Sequence, residues 1–130
     1  MYNQAVNAYK DAKRAAVLTA DPMKLIIMMY EEAIKNLNLA KKSIESGNIE
    51  KRNEYIYKAQ DFINELMNAL NFEKGGEIAK NLYSLYEYFI WRLNMSIAKN
   101  DPEMVQEVID RMNTLLDAWN QIYNQYKETK

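Results

Sequence analysis

The first regular pattern of apolar positions in the chain begins at Asp21-Pro22 and ends at Ser46-Gly47. Between these limits apolar residues recur at spacings of four and three, the signature of one helix face: Ile26, Tyr30, Ala33, Leu37, Ala40 and Ile44. Asp21 suits an N-cap, and Pro22 suits the first helical turn, where its missing N–H costs nothing. Gly47 suits the position just after a helix. The pattern therefore predicts a first helix between these two stops.

Three further segments show the same periodicity. Asn48 is the predicted cap of the second helix, whose apolar stripe is Ile49, Ile56, Ala59, Ile63, Leu66 and Leu70. The third has two adjacent apolar lines, with Ile78, Leu82, Leu85 and Phe89 on one and Tyr83, Tyr86, Ile90, Leu93 and Ile97 on the other. Asn100-Asp101-Pro102 closes it and opens the fourth, which is expected to bury Val105, Val108, Met112, Leu115, Trp119 and Ile122. We interpret residues 71–76 as a turn, with Gly75-Gly76 as the strongest helix breaker.

Short connections between four helices, each about 35 Å long, predict antiparallel neighbours. The expected fold is all-α, a single antiparallel up-down-up-down four-helix bundle over residues 21–130, preceded by an N-terminal arm over residues 1–20. If the arm is helical, Tyr2, Ala5, Val6 and Tyr9 share one face, which favours an arm lying partly over an apolar groove of the bundle. The alternative is a mobile terminus without a function.

The absence of cysteine and histidine limits the possible chemistry. Disulfides, thiolate metal sites, histidine general bases and the nucleophilic triads built on them are excluded. Carboxylate pairs at helical spacing remain, of which Asp61 and Glu65 are one, but di-metal sites in helical bundles also use histidine. Lys74-Gly75-Gly76 lacks the spacing and the preceding strand of a phosphate-binding loop. We therefore expect neither an enzyme nor a cofactor or metal.

Charge and hydropathy further narrow the class of protein. The net charge is -1 and the pI about 5.6, which gives no sign of nucleic-acid binding. The longest apolar stretch, Leu25 to Tyr30, is far too short to span a membrane, and no signal-peptide core is present. These features predict a cytoplasmic protein.

Apolar and tyrosine side chains are more numerous than a simple bundle stripe requires. The chain has 10 tyrosines, 8 methionines and 2 tryptophans, and the first helix adds Leu25, Met28, Met29 and Leu39 to its main line. A wide core-facing face accounts for many of these positions. The others suit a surface that receives another chain, because tyrosine is enriched at interfaces and methionine adapts to imperfectly matched partners. A groove that accepts a partner's amphipathic helix would use such residues.

Several short motifs, spread over nearly the whole chain, resemble those of the flagellin-specific export chaperones, the FliS family. They are Asn7-Ala8-Tyr9, Thr19-Ala20-Asp21-Pro22 with Leu25, Met29-Tyr30-Glu31-Glu32-Ala33-Ile34, Lys58-Ala59-Gln60-Asp61, Glu65-Leu66-Met67 with Leu70, Gly75-Gly76-Glu77-Ile78-Ala79, Asn81-Leu82-Tyr83-Ser84-Leu85-Tyr86, Arg92-Leu93, Asn100-Asp101 and Trp119. Glu32 stands where the family commonly has glycine, and Trp91 and Met95-Ser96-Ile97 depart from its more polar pattern. The departures concern details of the groove.

The resemblance implies a cytoplasmic helical bundle that binds the disordered C-terminal segment of flagellin, with 1:1 stoichiometry. It also implies that binding prevents premature filament assembly and that the subunit is delivered to the flagellar type III export apparatus, whose gate components are possible further partners. We expect Ala8, Tyr9, Leu25, Met29, Tyr83, Tyr86 and Ile90 to contact partners. The last five lie off the main core lines or at their edges. Two other functions stay open, an enzyme with an all-carboxylate site and a helical adaptor for a different protein client.

Overall fold

The computed structural model describes residues 22–128, which form four helices. They are α1 (Pro22–Glu45), α2 (Ile49–Asn68), α3 (Phe72–Lys99) and α4 (Pro102–Glu128). Residues 46–48, 69–71 and 100–101 connect them. The expected N-terminal arm and the expected cap at Asp21 lie outside the described residues.

Polar side chains and left-handed residues mark the helix ends. The side chains of Asn48, Asn71 and Asp101 each accept a hydrogen bond from a backbone N–H in the first turn of the following helix, at 3.1, 2.9 and 2.9 Å. Such bonds satisfy N–H groups that have no partner within the helix. Gly47 and Asn100, with φ of 76° and 50°, end the preceding helices in the left-handed conformation. The caps expected at Asn48 and Gly47 are confirmed.

The helices form a ring in which each packs against two others. Helices α1 and α3 both pack against α2 and α4. Lys41 Nζ, late in α1, donates to Gln106 Oε1, early in α4, at 2.8 Å. Arg52, at the start of α2, donates to Asn100, at the end of α3, at 2.6 Å. These contacts confirm the up-down-up-down bundle. Helices α1 and α3 begin, and α2 and α4 finish, at the same end of the bundle. We call it the pocket end, because the pocket described below opens there, and we call the other end the opposite end.

The apolar stripes meet along the axis of the bundle. The largest fully buried side chains come from all four helices: Tyr30, Leu37, Ile56, Ile63, Tyr86, Phe89, Leu93, Val105, Val108 and Met112. Each large apolar side chain removed from water stabilises the fold by about 1.5–3 kcal/mol. The periodicity of the sequence therefore identified most of the core correctly.

Three isoleucines expected in the stripes are instead exposed. Ile49, Ile78 and Ile122 show 56%, 71% and 48% of their surface to solvent. Ile49 is the first residue of α2, Ile78 lies in an early turn of α3, and Ile122 belongs to the last turns of α4. All three therefore lie towards an end of their helix. The expected burial of Ile122 is wrong, and the stripes that contain Ile49 and Ile78 are exposed at these two positions.

The segment 71–76 contains one helical turn, which the sequence did not predict, followed by the break that its glycines predicted. Asn71 caps a helix that begins at Phe72, and this helix continues through a kink at Gly76, whose φ and ψ are 49° and -126°. The cap begins the first turn five residues before the glycine that bends it. The helical backbone is therefore interrupted at Gly76, as expected, but one helical turn of α3 precedes the interruption.

A charged cluster fastens α3 to α4 along one side of the bundle. Tyr88 and Arg92 of α3 donate hydrogen bonds to the carboxylate of Glu107 on α4, at 2.6 and 2.8 Å, and Arg111 donates at 3.1 Å. The bond from Tyr88 and the two guanidinium groups hold the pKa of Glu107 below its usual value, although desolvation opposes them. The ionised form of Glu107 is therefore favoured in the folded state.

The stabilisation from Glu107 should depend on pH. A folded-state pKa below the unfolded value makes a carboxylate stabilising above the unfolded pKa, about 4.3 for glutamate, and this stabilisation is lost as the pH falls through the folded pKa. We expect Glu107→Gln to lower the free energy of unfolding at pH 7, and we expect the difference from wild type to shrink below about pH 4. Urea unfolding at several pH values measures both effects. Glu87→Gln, on the outer side of α3, controls for the loss of one negative charge, and a deficit for Glu107→Gln that does not change with pH would contradict the assignment.

Candidate binding site

A cavity of about 270 Å³ opens at the pocket end of the bundle. All four helices contribute to its wall, together with the connection between α2 and α3. Its lining consists of Ile26, Leu66, Ala69, Leu70, Asn71, Lys74, Gly75, Ile78, Ala79, Leu82, Tyr86 and Trp119. We call this cavity the end pocket. Asn71 and Lys74 are exposed, and the other lining residues are apolar, aromatic or glycine. The pocket therefore suits an apolar group much better than a charged one.

The two glycines of α3 shape one wall of the end pocket. A Cβ atom at Gly75 would lie 2.8 Å from the Cβ of Ala79, closer than side chains normally approach. Gly75 therefore allows the first turn of α3 to close tightly against Ala79. Gly76 then takes a backbone conformation that residues with side chains rarely adopt. Together the glycines give α3 its kink next to the pocket.

Aromatic residues form the inner side of the end pocket. Tyr86 lines the pocket, and its hydroxyl group is hydrogen-bonded to the hydroxyl of Tyr30 on α1. Both tyrosines are almost fully buried, which raises the pKa of each. Trp119 is the aromatic residue of the pocket from α4. The inner wall of the pocket is therefore largely aromatic.

Exposed apolar side chains surround the mouth of the end pocket. Ile78 is both a lining residue and the most exposed of the large apolar residues in the described part of the chain. Phe72 is 46% exposed, and its ring packs edge-on against Tyr83 with the centroids 5.7 Å apart. Ile122 of α4 is 48% exposed and lies three residues beyond the lining residue Trp119, towards the same end of the bundle. We call Phe72, Ile78, Tyr83 and Ile122 the apolar collar.

The structure places the expected contact residues in different environments. Leu25, Met29 and Tyr86 are buried, with 8%, 3% and 1% of their surface exposed. Tyr83 belongs to the collar, and Ile90 is half-buried. Met29 and Tyr86 are part of the main core, so the expectation that they lie off the core lines or at their edges is wrong for them. The wide apolar faces of α1 and α3 are covered by two neighbouring helices each.

Three of the expected contact residues are not found at the pocket end in the described part of the chain. Ala8 and Tyr9 lie outside the described residues. Ile90 lines a separate, shallow cleft between α2 and α3, together with Met67 and the exposed Trp91. The structure thus brings Tyr83 and Tyr86 to the pocket end but leaves Ile90 in this second cleft.

Sequence reasoning assigned most of the pocket wall to the core. Ile26, Leu66, Leu70, Leu82 and Trp119 all lie on expected stripes, yet they line an open cavity. Four of them lie in the parts of their helices that the up-down-up-down order brings to the pocket end, and Leu70 lies in the connection between α2 and α3 at that end. Stripe residues near helix ends that share one end of a bundle are therefore the signal that could have identified the pocket.

Within residues 22–128, no group of three or more acidic side chains is placed to hold a metal ion. In the same range no helix combines the length and apolar character needed to cross a bilayer. A four-helix bundle with an apolar pocket at one end belongs to the class of helical binding proteins.

Comparison with known families identifies the chain more closely. The family model of FliS, described as flagellar protein FliS, matches residues 5–126, and the chain belongs to this family. Members of the family are secretion chaperones, so the chain is a flagellar secretion chaperone and not an enzyme. This confirms the family that the sequence motifs indicated.

Individual relatives agree over most of their lengths. The chain is 36% identical to the flagellar secretion chaperone FliS of Vibrio cholerae, over 94% of this chain and 90% of the relative. It is 37% identical to the Salmonella typhimurium protein of that name, over 90% and 88%, and 35% identical to the Bacillus subtilis one, over 88% and 85%. A solved structure titled "Crystal structure of flagellar chaperone from bacteria" has 16% identity and a TM-score of 0.76, and covers 93% of this chain and 98% of that one. It shares the fold.

The kink at Gly76 gives a test of how the pocket wall is built. A Cβ at this position meets nothing within 4 Å, so the cost of Gly76→Ala should come from the backbone conformation alone. We expect it to lower the free energy of unfolding by about 1–3 kcal/mol, measured by urea denaturation. D-alanine, introduced at position 76 by chemical synthesis, prefers the mirror-image conformation and should restore most of that stability because Gly76 is exposed. Equal losses for the two alanine enantiomers would show that the kink imposes no such strain.

Proposed function

We propose that this chain is a cytoplasmic export chaperone that binds the disordered C-terminal segment of flagellin at the end pocket and the apolar collar. The single observation that carries the proposal is an open apolar cavity with exposed apolar residues at its mouth. Large exposed apolar patches on a protein commonly mark sites of interaction. A pocket with apolar walls and polar groups only at its mouth suits an apolar side chain of a peptide whose backbone stays near the surface.

Binding of such a segment would be coupled to its folding. A disordered chain loses conformational entropy when it orders, so the apolar area it buries must offset that loss. The segment bound in this way is not free to assemble with other subunits, which is how the chaperone would prevent premature polymerisation. Handover to the type III export apparatus would then require competition for the same apolar surface, with export-gate components as further partners. A helical adaptor for another protein client remains the alternative outcome of the tests below.

Binding to flagellin can be measured directly. We expect 1:1 binding of the cognate flagellin C-terminal segment in calorimetry, with a clearly negative heat-capacity change because apolar surface is buried. No binding at tens of micromolar would refute the proposal. In that case, capture of a different protein from a flagellated bacterium's lysate would favour the adaptor.

Two exposed isoleucines provide a matched pair of variants for locating the site. Ile78→Ala at the pocket mouth should weaken flagellin binding about tenfold, the effect expected of a central interface contact. Ile49→Ala removes the same atoms at the opposite end of the bundle and should leave the affinity unchanged. Since both side chains are more than half exposed, neither change should unfold the protein. Equal effects of the two variants would place the client elsewhere.

The N-terminal arm is proposed to act at the same site. Its Tyr2, Ala5, Val6 and Tyr9 would share one apolar face in a helix, and such a face could cover the apolar groove until flagellin displaces it. In this proposal Ala8 and Tyr9 belong to the partner-binding residues. Covering the groove would keep the empty chaperone from self-association, because exposed apolar patches promote it.

A variant that starts near Thr19 tests the arm. If the arm only covers the groove, truncation should preserve or strengthen flagellin binding and increase self-association, measured by calorimetry and light scattering. If the arm also contacts the bound client, for instance through Tyr9, truncation should weaken binding. Unchanged binding together with unchanged self-association would exclude both roles and leave a terminus without function.

A further inference from the structure

The second cleft, between α2 and α3, differs in its chemistry from the end pocket. It has a volume of about 290 Å³, and its lining consists of Asn64, Met67, Glu87, Ile90, Trp91 and Asn94. No described residue belongs to both linings. Of the residues that line the second cleft, Glu87 alone carries a charge. The two sites therefore suit different groups and can be occupied at the same time.

A buried amide holds the two helices together at the second cleft. Gln60 of α2 is buried, and its amide nitrogen donates to the backbone oxygen of Ile90 at 3.3 Å and to Oδ1 of Asn94 at 2.8 Å. Met67 and Ile90 are half-buried, whereas the other lining residues are exposed. The cleft thus has an apolar floor, and its polar groups and the indole of Trp91 lie at the rim.

An indole ring and a carboxylate lie side by side at this rim. Glu87 and Trp91 are four residues apart on α3, so their side chains are neighbours on one face of the helix. Trp91 is 52% exposed, and its ring centroid lies 5.9 Å from that of Tyr88. Because Tyr88 comes three residues earlier, this contact shows that the indole leans towards the beginning of α3. It therefore leans towards the helical turn that carries Glu87.

The carboxylate of Glu87 has no cation beside it. Within the described part of the chain, the ion pairs involve the carboxylates of Glu54, Glu77 and Glu107. A carboxylate and the face of an aromatic ring both attract a positive charge. An apolar group in the cleft would instead displace water from Glu87 without replacing its hydrogen bonds. The cleft therefore suits a cation with an apolar stem.

We propose that the second cleft docks a second protein through an arginine side chain. The planar guanidinium group stacks on the indole of Trp91 and donates to the carboxylate of Glu87. The methylene groups of the arginine pack on Met67 and Ile90. Lysine fits less well, because its ammonium group is strongly hydrated and has no plane that can stack. This docking does not depend on the flagellin binding proposed above.

Two small probes of the same shape test the chemistry of the cleft. N-acetyl-arginine amide carries the guanidinium group, and N-acetyl-citrulline amide carries a neutral urea in its place. Each is titrated into the full-length protein at low ionic strength, since salt screens exposed charges. Binding is followed by NMR through the indole N–H signal of Trp91. Trp119 in the end pocket gives the second indole signal as an internal reference, and Trp91→Phe assigns the two.

The arginine probe should shift the Trp91 signal in a saturable way and leave the Trp119 signal unchanged. The citrulline probe should bind about tenfold more weakly, because it lacks both the cation–π interaction and the ion pair. Glu87→Gln keeps the shape of the side chain and should weaken arginine binding about threefold. Glu31→Gln removes an exposed carboxylate from α1, a helix that contributes nothing to the cleft, and should leave the affinity unchanged.

Three results would overturn the proposal: no saturable shift of the Trp91 signal in the millimolar range, equal binding of the two probes, or equal effects of the two glutamate variants. The first two need only the wild-type protein. A saturating flagellin segment should not change the affinity for the arginine probe, and displacement of the probe would assign the cleft to the client instead of a second protein. If the proposed function fails, the segment does not bind at all, while the arginine probe still shifts the Trp91 signal.

Discussion

The hydrogen bond between the hydroxyl groups of Tyr30 and Tyr86 joins α1 and α3 across the axis of the bundle. Helices α1 and α3 do not follow each other in the ring, because each packs mainly on α2 and α4. Two fully buried hydroxyls must meet, or each loses its partner at a cost of about 1–3 kcal/mol. This requirement fixes the position of α1 relative to α3 along the bundle axis. On one side of that level lie the packed layers around Leu37 and Leu93, and on the other lies the end pocket.

Much of the fold follows from local rules that act within one helix. The cap at Asn48, the left-handed Gly47 and the Asn100-Asp101-Pro102 boundary could be identified because capping depends on residues only a few positions apart. Gly76 could not be interpreted in the same way. A glycine indicates a change of backbone direction, but the sequence does not say whether the helix stops there or continues at an angle. The Asn71 cap decides this in favour of a kinked helix.

The position of the site depends on where each residue lies along the bundle axis relative to the other helices. The periodicity of apolar residues in the sequence gives no information about this. The stripe pattern gives the direction of Trp119 around its helix, and that direction is correct. The pattern does not say whether another helix packs at the same position along the bundle axis. Ile78 also lies on a regular apolar stripe, yet it is exposed. Met29 and Tyr86 show the opposite case, because a second neighbouring helix covers residues that lay beside the main line. The sequence motifs were sufficient to identify the family, whereas the pocket of this chain could be found only from the packed arrangement of the four helices.

Because every helix contributes to the end pocket, the pocket exists only in the finished bundle. Ile26 comes from α1, Leu66 from α2, Leu82 from α3 and Trp119 from α4. Consecutive helices joined by short connections find each other quickly, and closing the ring between α1 and α4 involves the largest separation along the chain. During translation, a nascent chain that still lacks α4 has neither this closure nor the indole of Trp119. The ribosome must therefore complete the fourth helix before the newly made chaperone can hold any ligand in this pocket.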